Sequence, residues 1–238
     1  MAKPFELKFS NRVIEHLGIK LYQNKPTNVV AEFLSNSWDA DAFNVQIELK
    51  AQGAGGKPII VITDDGRGMT RDELTDEFLI IGRNRRGEPT ERTPAGRLPM
   101  GRKGIGKLAG FGIAGTVDVI SSPNIQLRRD ADIVAQSFYW LRFSLQELIA
   151  KSTASLTGSY EPEVIADGVN LNVLQDLVIN NGCEEECRHF LENSISGKGG
   201  VCIILRNTTL KKAMNVESLI QSTGRRFTVA MLLSLIHI

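Results

Sequence analysis

The sequence is poor in several residues whose chemistry would announce a function. Its 238 residues include only three cysteines and three histidines. Cys183, Cys187 and Cys202 are too few, and odd in number, for a disulfide scaffold, which points to a reducing compartment. Cys183, Cys187 and His189 fall together in NGCEEECRHF, but their spacing matches no common zinc pattern and a further ligand is wanting. A surface helix is the simpler explanation. No apolar run reaches the length of a membrane-spanning helix, and MAKPFELKFSNRVIEHLGIK contains no signal-peptide core, so a cytoplasmic protein without a membrane partner is expected. Nor is there an excess of one charge. A formal net charge of +1 excludes the overall basic character of many nucleic-acid binders.

What remains is an ordinary globular composition, 42% hydrophobic and 23% charged, with enough chain for one large domain. Residues 11–22 carry Val13, Ile14, Leu17 and Leu21 at helical spacing. Residues 27–41 form a second predicted helix, with Thr27 or Asn28 as its N-cap. NVQIELK (44–50) alternates as a strand, and Ile59–Thr63 is a buried strand running into an acidic, Gly-rich turn. Thr70 and Glu73 have the spacing of a capping box. Residues 82–104 are rich in Gly, Pro and Arg and poor in apolar side chains, which predicts a long mobile functional loop. A small-residue helix, IGKLAGFGIAG, and a strand, TVDVISS, follow. FYWLRFSL predicts a strand entering a helix, 160–196 helix and loop, VCIILRN a buried strand, and 215–223 a last helix. The mixture predicts an α+β class.

Three stretches carry chemistry. In AEFLSNSWDADA (31–42), an advance of about 100° per residue puts Glu32, Asn36 and Asp39 within roughly 60° of one another, with Phe33, Leu34 and Trp38 pointing away. No Lys or Arg pairs the acids of that stripe. The stripe is either a solvated face or a carboxylate and an amide aimed at one ligand. In DDGRGM, a strand ends in Asp64-x-Gly66-x-Gly68, where backbone without a Cβ lets a ligand approach the carboxylate. Such a carboxylate in an apolar pocket accepts a hydrogen bond from an exocyclic amine. In GRKGIGKLAG, the N–H groups of Gly101, Gly104 and Gly106 are spaced for an anion nest at a helix N-terminus, with Lys107 beside it. This string nearly fits a P-loop, but Leu108 stands where Ser or Thr must ligate magnesium, and TPAGRLPM before it is not a strand.

Taken in order, EFLSN, DDGRGM and GRKGIGK resemble the N-box, the D-x-G-x-G box and the G-x-x-G-x-G lid of the GHKL ATPases. That superfamily comprises DNA gyrase B subunits, the ninety-kilodalton heat-shock chaperones, sensor histidine kinases and MutL proteins. The resemblance covers residues 25–120, and its wording is nearest to the MutL- and MORC-like branch and bacterial stand-alone ATPases. It implies a two-layer sandwich, a mixed, mainly antiparallel sheet with helices on one face. The ATP-binding domain would span 1–232, with a lid at 82–106 and a divergent insertion at 123–198. It implies ATP and Mg²⁺ as cofactors. Asn36 would ligate the metal, Glu32 would deprotonate the attacking water, and Asp39 would support the site. Asp64, Gly66, Gly68 and Met69 would hold the base end. Gly101, Lys103, Gly104, Ile105, Gly106 and Lys107 would hold the phosphates, and some of the lid cations Arg83, Arg85, Arg86, Arg97, Arg102 and Lys103 would fold over them, with Lys107 the best single candidate. KGGVCIIL has Gly199 and Gly200 but not the Thr of the family's Gly-Thr motif.

By the same resemblance the activity is slow ATP hydrolysis that drives lid closure and homodimerisation. Sensor kinases carry Asn where Glu32 stands, so Glu32 argues for hydrolysis. The rivals are an ATP-gated interaction module without turnover and a kinase, though none of His16, His189 and His237 sits in a recognisable phosphoacceptor helix. A DNA or protein client would be met through domains C-terminal to this one. LSLIHI (233–238) matches the translation of a transposon-derived sequencing adaptor and is taken as a non-native tail. A transducer domain, whose lysine reaches the γ-phosphate in the relatives, is expected to be missing, which would leave turnover weak.

Overall fold

The computed structural model describes residues 6–10, 22–23, 25–50, 57–80, 92–101, 106–128, 135–153, 157–208, 216–226 and 236–237. Most of the helix expected over 11–22 lies outside them. In chain order come β1 (Leu7–Ser10), α1 (Pro26–Asp39), β2 (Val45–Lys50) and β3 (Ile59–Asp64). A short helix α2 (Arg71–Glu73) runs on into a π turn (Leu74–Phe78), and a 3-10 helix (Gly106–Gly112) leads into β4 (Ala114–Ser122). Next are β5 (Phe138–Ser144), α3 (Leu145–Thr153), β6 (Thr157–Tyr160) and β7 (Glu163–Val169). The chain continues through α4 (Leu171–Asn180), α5 (Glu184–Ile195), β8 (Gly200–Thr208), α6 (Val216–Arg226) and β9 (Ile236–His237).

Helix α1 begins at Pro26, whose fixed φ suits a first turn, with Lys25 in the cap position and no side-chain cap. The expected caps, Thr27 and Asn28, lie inside that turn instead. The helix stops where Asp41 takes φ 59°, a left-handed conformation that Asp tolerates, and the Ala42 N–H turns back to the Ser37 carbonyl at 3.0 Å. The capping box forms as its spacing predicts: Thr70 accepts from the Glu73 N–H, and Glu73 accepts from the Thr70 N–H. The run 106–112 is a 3-10 helix, and Ala114 already belongs to β4, so the small-residue helix expected over IGKLAGFGIAG is shorter and tighter. Gly106, Gly110 and Gly112 withhold the propensity that a longer α-helix needs.

Among the described residues the main sheet has the order β7-β5-β4-β8-β3-β2-β9, and every pairing is antiparallel except β2 with β9. This is the mixed, mainly antiparallel α+β arrangement the sequence implies. Strand β3 is buried along its whole length. Ile60 and Ile62 join a core with Val29, Val30, Phe33 and Leu34 of α1. Ile59 and Val61 point the other way, into a core with Leu174, Val178, Cys187 and Phe190 of α4 and α5. The stretch 171–195 thus lays a further helical layer on the sheet face opposite α1, beyond the single helical face expected. Burying each large apolar side chain contributes about 1.5–3 kcal/mol, so both layers hold β3 firmly.

Under α5 the buried Asp118 of β4 accepts from Trp140 Nε1 at 2.9 Å, Arg142 Nε at 2.7 Å and Arg206 Nε at 3.1 Å. Arg206 also donates to Cys183 Sγ at 3.0 Å. Removing one member of such a set leaves charge buried without its partner. Asp118→Ala is expected to cost about 3–5 kcal/mol of unfolding free energy, read as a lowered urea midpoint at unchanged slope.

Candidate functional site

The site is built around α1, because one helix supplies both of its ends. At one end, Asp64 closes β3 with 7% of its surface exposed. Its Oδ2 accepts from Ser37 Oγ of α1 at 2.8 Å, and its Oδ1 accepts from the Gly66 N–H at 3.0 Å. No described Lys or Arg pairs with it. Burial raises its carboxyl above the usual range and outweighs the Ser37 and Gly66 hydrogen bonds, which act the other way, leaving it at about 6. The neighbouring acid does different work. Asp65 accepts from the N–H groups of Phe43 and Asn44, both at 2.7 Å, and from Asn44 Nδ2 at 2.8 Å, tying the turn to the start of β2. Of the paired aspartates in DDG, Asp65 is committed to the start of β2, whereas Asp64 closes β3 among the glycines of the turn.

Three glycines bring backbone close to this acid. A Cβ on Gly66 would meet the Ala40 carbonyl oxygen at 2.8 Å, and Gly68, at φ 58°, would drive one to 1.8 Å from that of Ser122. Gly200, which opens β8 at φ 132°, lies against the backbone of Asp64 itself. Met69 is half-buried against the α1 core, and its N–H donates to Ser121 Oγ at 2.9 Å. Arg128 fixes the turn by donating to the Arg67 and Gly68 carbonyls at 2.9 and 2.8 Å. Where the family motif has Thr, Val201 follows Gly200, and its N–H donates to the Asp64 carboxylate.

At the other end lies the polar stripe. A Cβ on Gly106 would fall 2.8 Å from Glu32 Oε2, and one on Gly101 would fall 2.7 Å from Asp39 Oδ2 and 4.0 Å from Asn36 Oδ1. The glycines of the third motif therefore press directly on the acids and amide of the first. Asn36 is exposed, with no described hydrogen-bond partner for its carboxamide. Asp39 Oδ1 and Oδ2 accept from the N–H groups of Met100 and Gly101 at 2.6 and 2.8 Å. Arg83, Arg85, Arg86, Arg102, Lys103, Gly104 and Ile105 lie outside the described residues, as does the side chain of Lys107.

Residues 92–101, the described part of the loop expected to be mobile, are strapped to the end of α1. Trp38 Nε1 donates to the Leu98 carbonyl at 3.0 Å, and Asp41 accepts from Thr93 Oγ1 and from the Ala95 N–H. Arg97 lies over the Trp38 ring, 4.7 Å from its centroid, and donates to the Ala42 carbonyl at 2.8 Å. It is a strut of the strap rather than a cation held out towards a phosphate. Cys183 and Cys187 face the core under α5, while His189 faces outward to Glu48 and Glu192.

Residues 24–140 match the model of the family described as Histidine kinase-, DNA gyrase B-, and HSP90-like ATPase. A GHKL-type ATPase domain is present in this chain. A putative type II restriction enzyme, HgiDII, of Herpetosiphon aurantiacus is 41% identical over 117 residues, 49% of this chain and 18% of that protein. The DNA mismatch repair protein MutL of Solibacter usitatus is 49% identical over 54 residues, 23% of the chain and 8% of the relative. MutL of Halobacterium salinarum is 48% identical over 50 residues, 21% and 7%. The chain thus matches less than a fifth of the length of each of these relatives.

Two residues of the site escape the sequence motifs. Ser37 stands inside AEFLSNSWDADA, and the signal for it was the need of a buried Asp64 for a donor. Tyr22 stands outside the motifs with nothing local to mark it, and burial, followed by the nearby Glu32 charge, pushes its phenol above the ordinary value. Asp64 also leaves a trace in stability. Its folded value, about 6, lies above the 3.8 of an ordinary Asp, so the native state holds its proton more tightly. The cost of ionising it is fully present above about pH 6 and fades as pH falls towards 4. Asp64→Asn is expected to unfold at higher denaturant than the parent at pH 7, by about 1–3 kcal/mol, and to lose that advantage at pH 4. Chemical denaturation at the two pH values checks it.

Proposed function

We propose that the domain binds ATP with Mg²⁺ and hydrolyses it slowly, in the manner of MutL- and MORC-like ATPases, with lid closure and homodimerisation as the output. The observation that carries this is the sharing of α1. The helix offers Ser37 to Asp64 at one end and holds Glu32 and Asn36 against the glycines of the third motif at the other. An ionised Asp64 accepts the exocyclic amine of adenine, and the carboxamide of Asn36 suits a hard cation that keeps most of its water and phosphate ligands. When bound, magnesium supplies positive charge against the phosphate oxygens.

In the hydrolytic step the water oxygen attacks the γ-phosphorus and its proton passes to the Glu32 carboxylate. The bond from the γ-phosphorus to the bridging oxygen breaks, and that electron pair leaves with ADP. Asp39, through Met100 and Gly101, keeps the third motif seated on α1. A DNA or protein client and a following transducer domain belong to this proposal too. HgiDII is named as a restriction enzyme and MutL as a mismatch repair protein, so DNA is the favoured client class.

Calorimetry with Mg-ATP and phosphate release test the roles separately. Asn36→Ala is expected to abolish magnesium-dependent ATP binding, whereas Glu32→Ala should bind ATP within about threefold of the parent and lose turnover by a hundredfold or more, roughly. Wild-type affinity in Asn36→Ala would reject the metal assignment. Unchanged turnover in Glu32→Ala would favour an interaction module that uses ATP only as a ligand.

A further inference from the structure

The turn that follows Asp64 is made of backbone that does not hold its own shape. Gly66 and Gly68 have the widest conformational choice of any residue, and Gly68 sits at φ 58°. What holds the turn comes from the segment after β4, residues 123–128. Asn124, 2% exposed, opens a tight turn there. Its carbonyl accepts from the Leu127 and Arg128 N–H groups at 3.2 and 3.0 Å, and its Oδ1 accepts from the Gln126 N–H at 3.1 Å. Asn124 Nδ2 donates to the Asp65 carbonyl at 2.8 Å, and the Asn124 N–H donates to the Arg67 carbonyl at 2.9 Å. Arg128 holds the same backbone further on. Its Nε donates to the Arg67 carbonyl at 2.9 Å and its Nη2 to the Gly68 carbonyl at 2.8 Å. The Arg128 side chain is 3% exposed, and Nη2 also meets Glu73 Oε2 at 2.5 Å. That same oxygen accepts from the Thr70 N–H at 2.8 Å in the capping box. Two residues from outside the motif thus take the carbonyls of Asp65, Arg67 and Gly68.

We propose that Arg128 is a positioning residue for nucleotide binding: by fixing the Arg67 and Gly68 carbonyls it keeps the Gly66 N–H on Asp64 and so aims that carboxylate at the base. The inference rests on the ATP-binding function proposed above. The link is short. The Gly66 N–H donates to Asp64 Oδ1 at 3.0 Å from within the clamped turn, while Ser37 holds Oδ2 at 2.8 Å from α1. If the turn relaxes, one carboxylate oxygen loses its fixed donor. A guanidinium suits this task because its planar fork reaches two carbonyls and a carboxylate together, which the single ammonium of a lysine does not. Burial acts to raise the Glu73 carboxyl, but the hydrogen bond and charge of Arg128 outweigh it and hold Glu73 below its ordinary value, so its charge faces the guanidinium at neutral pH. Glu32 and Asn36 lie at the other end of the site, so the effect should fall on recognition of the base rather than on the hydrolytic step.

Calorimetry of the full chain with the magnesium salts of ATP and inosine triphosphate, together with steady-state turnover, tests this. Arg128→Ala is expected to weaken ATP binding about tenfold and to leave inosine triphosphate binding within about twofold, so that discrimination between the two bases shrinks. KM for ATP should rise by a similar factor, with kcat within about twofold. Arg128→Lys keeps a positive charge for Glu73 but not the fork, and should still bind ATP at least about threefold more weakly than the parent. If Arg128→Ala does not fold, Arg128→Lys carries the test. A purely structural ion pair predicts a lower melting temperature with ATP affinity and KM unchanged well below that temperature. That result, or equal weakening of both nucleotides, would overturn the proposal and leave the ATP-binding function standing. A parent that binds no ATP would overturn both.

Discussion

A carboxylate with no described Lys or Arg beside it sits at the end of β3, and much of the surrounding architecture is arranged to tolerate it. Asp64 is satisfied by Ser37 from α1, by the Gly66 N–H from its own turn and by the Val201 N–H from β8. Helix, turn and neighbouring strand are therefore registered against one another through a single side chain. Hydrogen bonds of this kind leave part of the desolvation cost standing, as the raised carboxyl shows. A protein keeps such a group where its acceptor capacity is used, and strained titration inside a cleft is a recurring mark of function. Two apolar layers, α1 on one face and α4 with α5 on the other, hold β3 rigid enough to bear the expense.

The same helix sets the other end of the site. Its apolar face, with Val29, Val30, Phe33 and Leu34, is committed to the sheet, which turns Glu32, Asn36 and Asp39 towards the glycine motif. The division of labour along that stripe follows from position. Asp39 and Asp41, near the end of α1, are occupied by backbone N–H groups of the 92–101 strap. Asn36, a turn earlier, stays exposed, and Glu32 meets Gly106. An acid tied to backbone is a fastener, whereas an amide and an acid beside Cβ-free backbone can meet a ligand.

Much of this was legible in the sequence where local rules decide. The period of α1, the alternation of β2, the apolar run of β3 and the capping box at Thr70 each depend on neighbours within one or two turns. The two acids of DDG were not separable in that way, because what distinguishes Asp64 from Asp65 is a serine 27 residues away for one and the start of β2 for the other. The strap was also hidden. Its Gly, Pro and Arg content predicts mobility, and its attachment comes from Trp38, Asp41 and Arg97, which meet only in the folded chain. Pro26 displaced the expected cap of α1 by a rule that is local but was outweighed by the polar Thr27 and Asn28. The second helical layer, 171–195, was recognisable as helix and loop, but the sheet face it covers depends on the long-range order of the strands.

The central claim is that Asp64 accepts a hydrogen bond from the amine of an adenine base. The most direct measurement compares binding of ATP with that of inosine triphosphate, which carries a carbonyl oxygen where adenine carries the amine and is otherwise alike at the phosphates. Facing an ionised Asp64, that carbonyl sets acceptor against acceptor and leaves the buried carboxylate without its ligand hydrogen bond. The account predicts that ATP binds at least about a hundredfold more tightly at pH 7.5, since an unmet buried partner costs several kcal/mol. Equal affinity for the two nucleotides would contradict it.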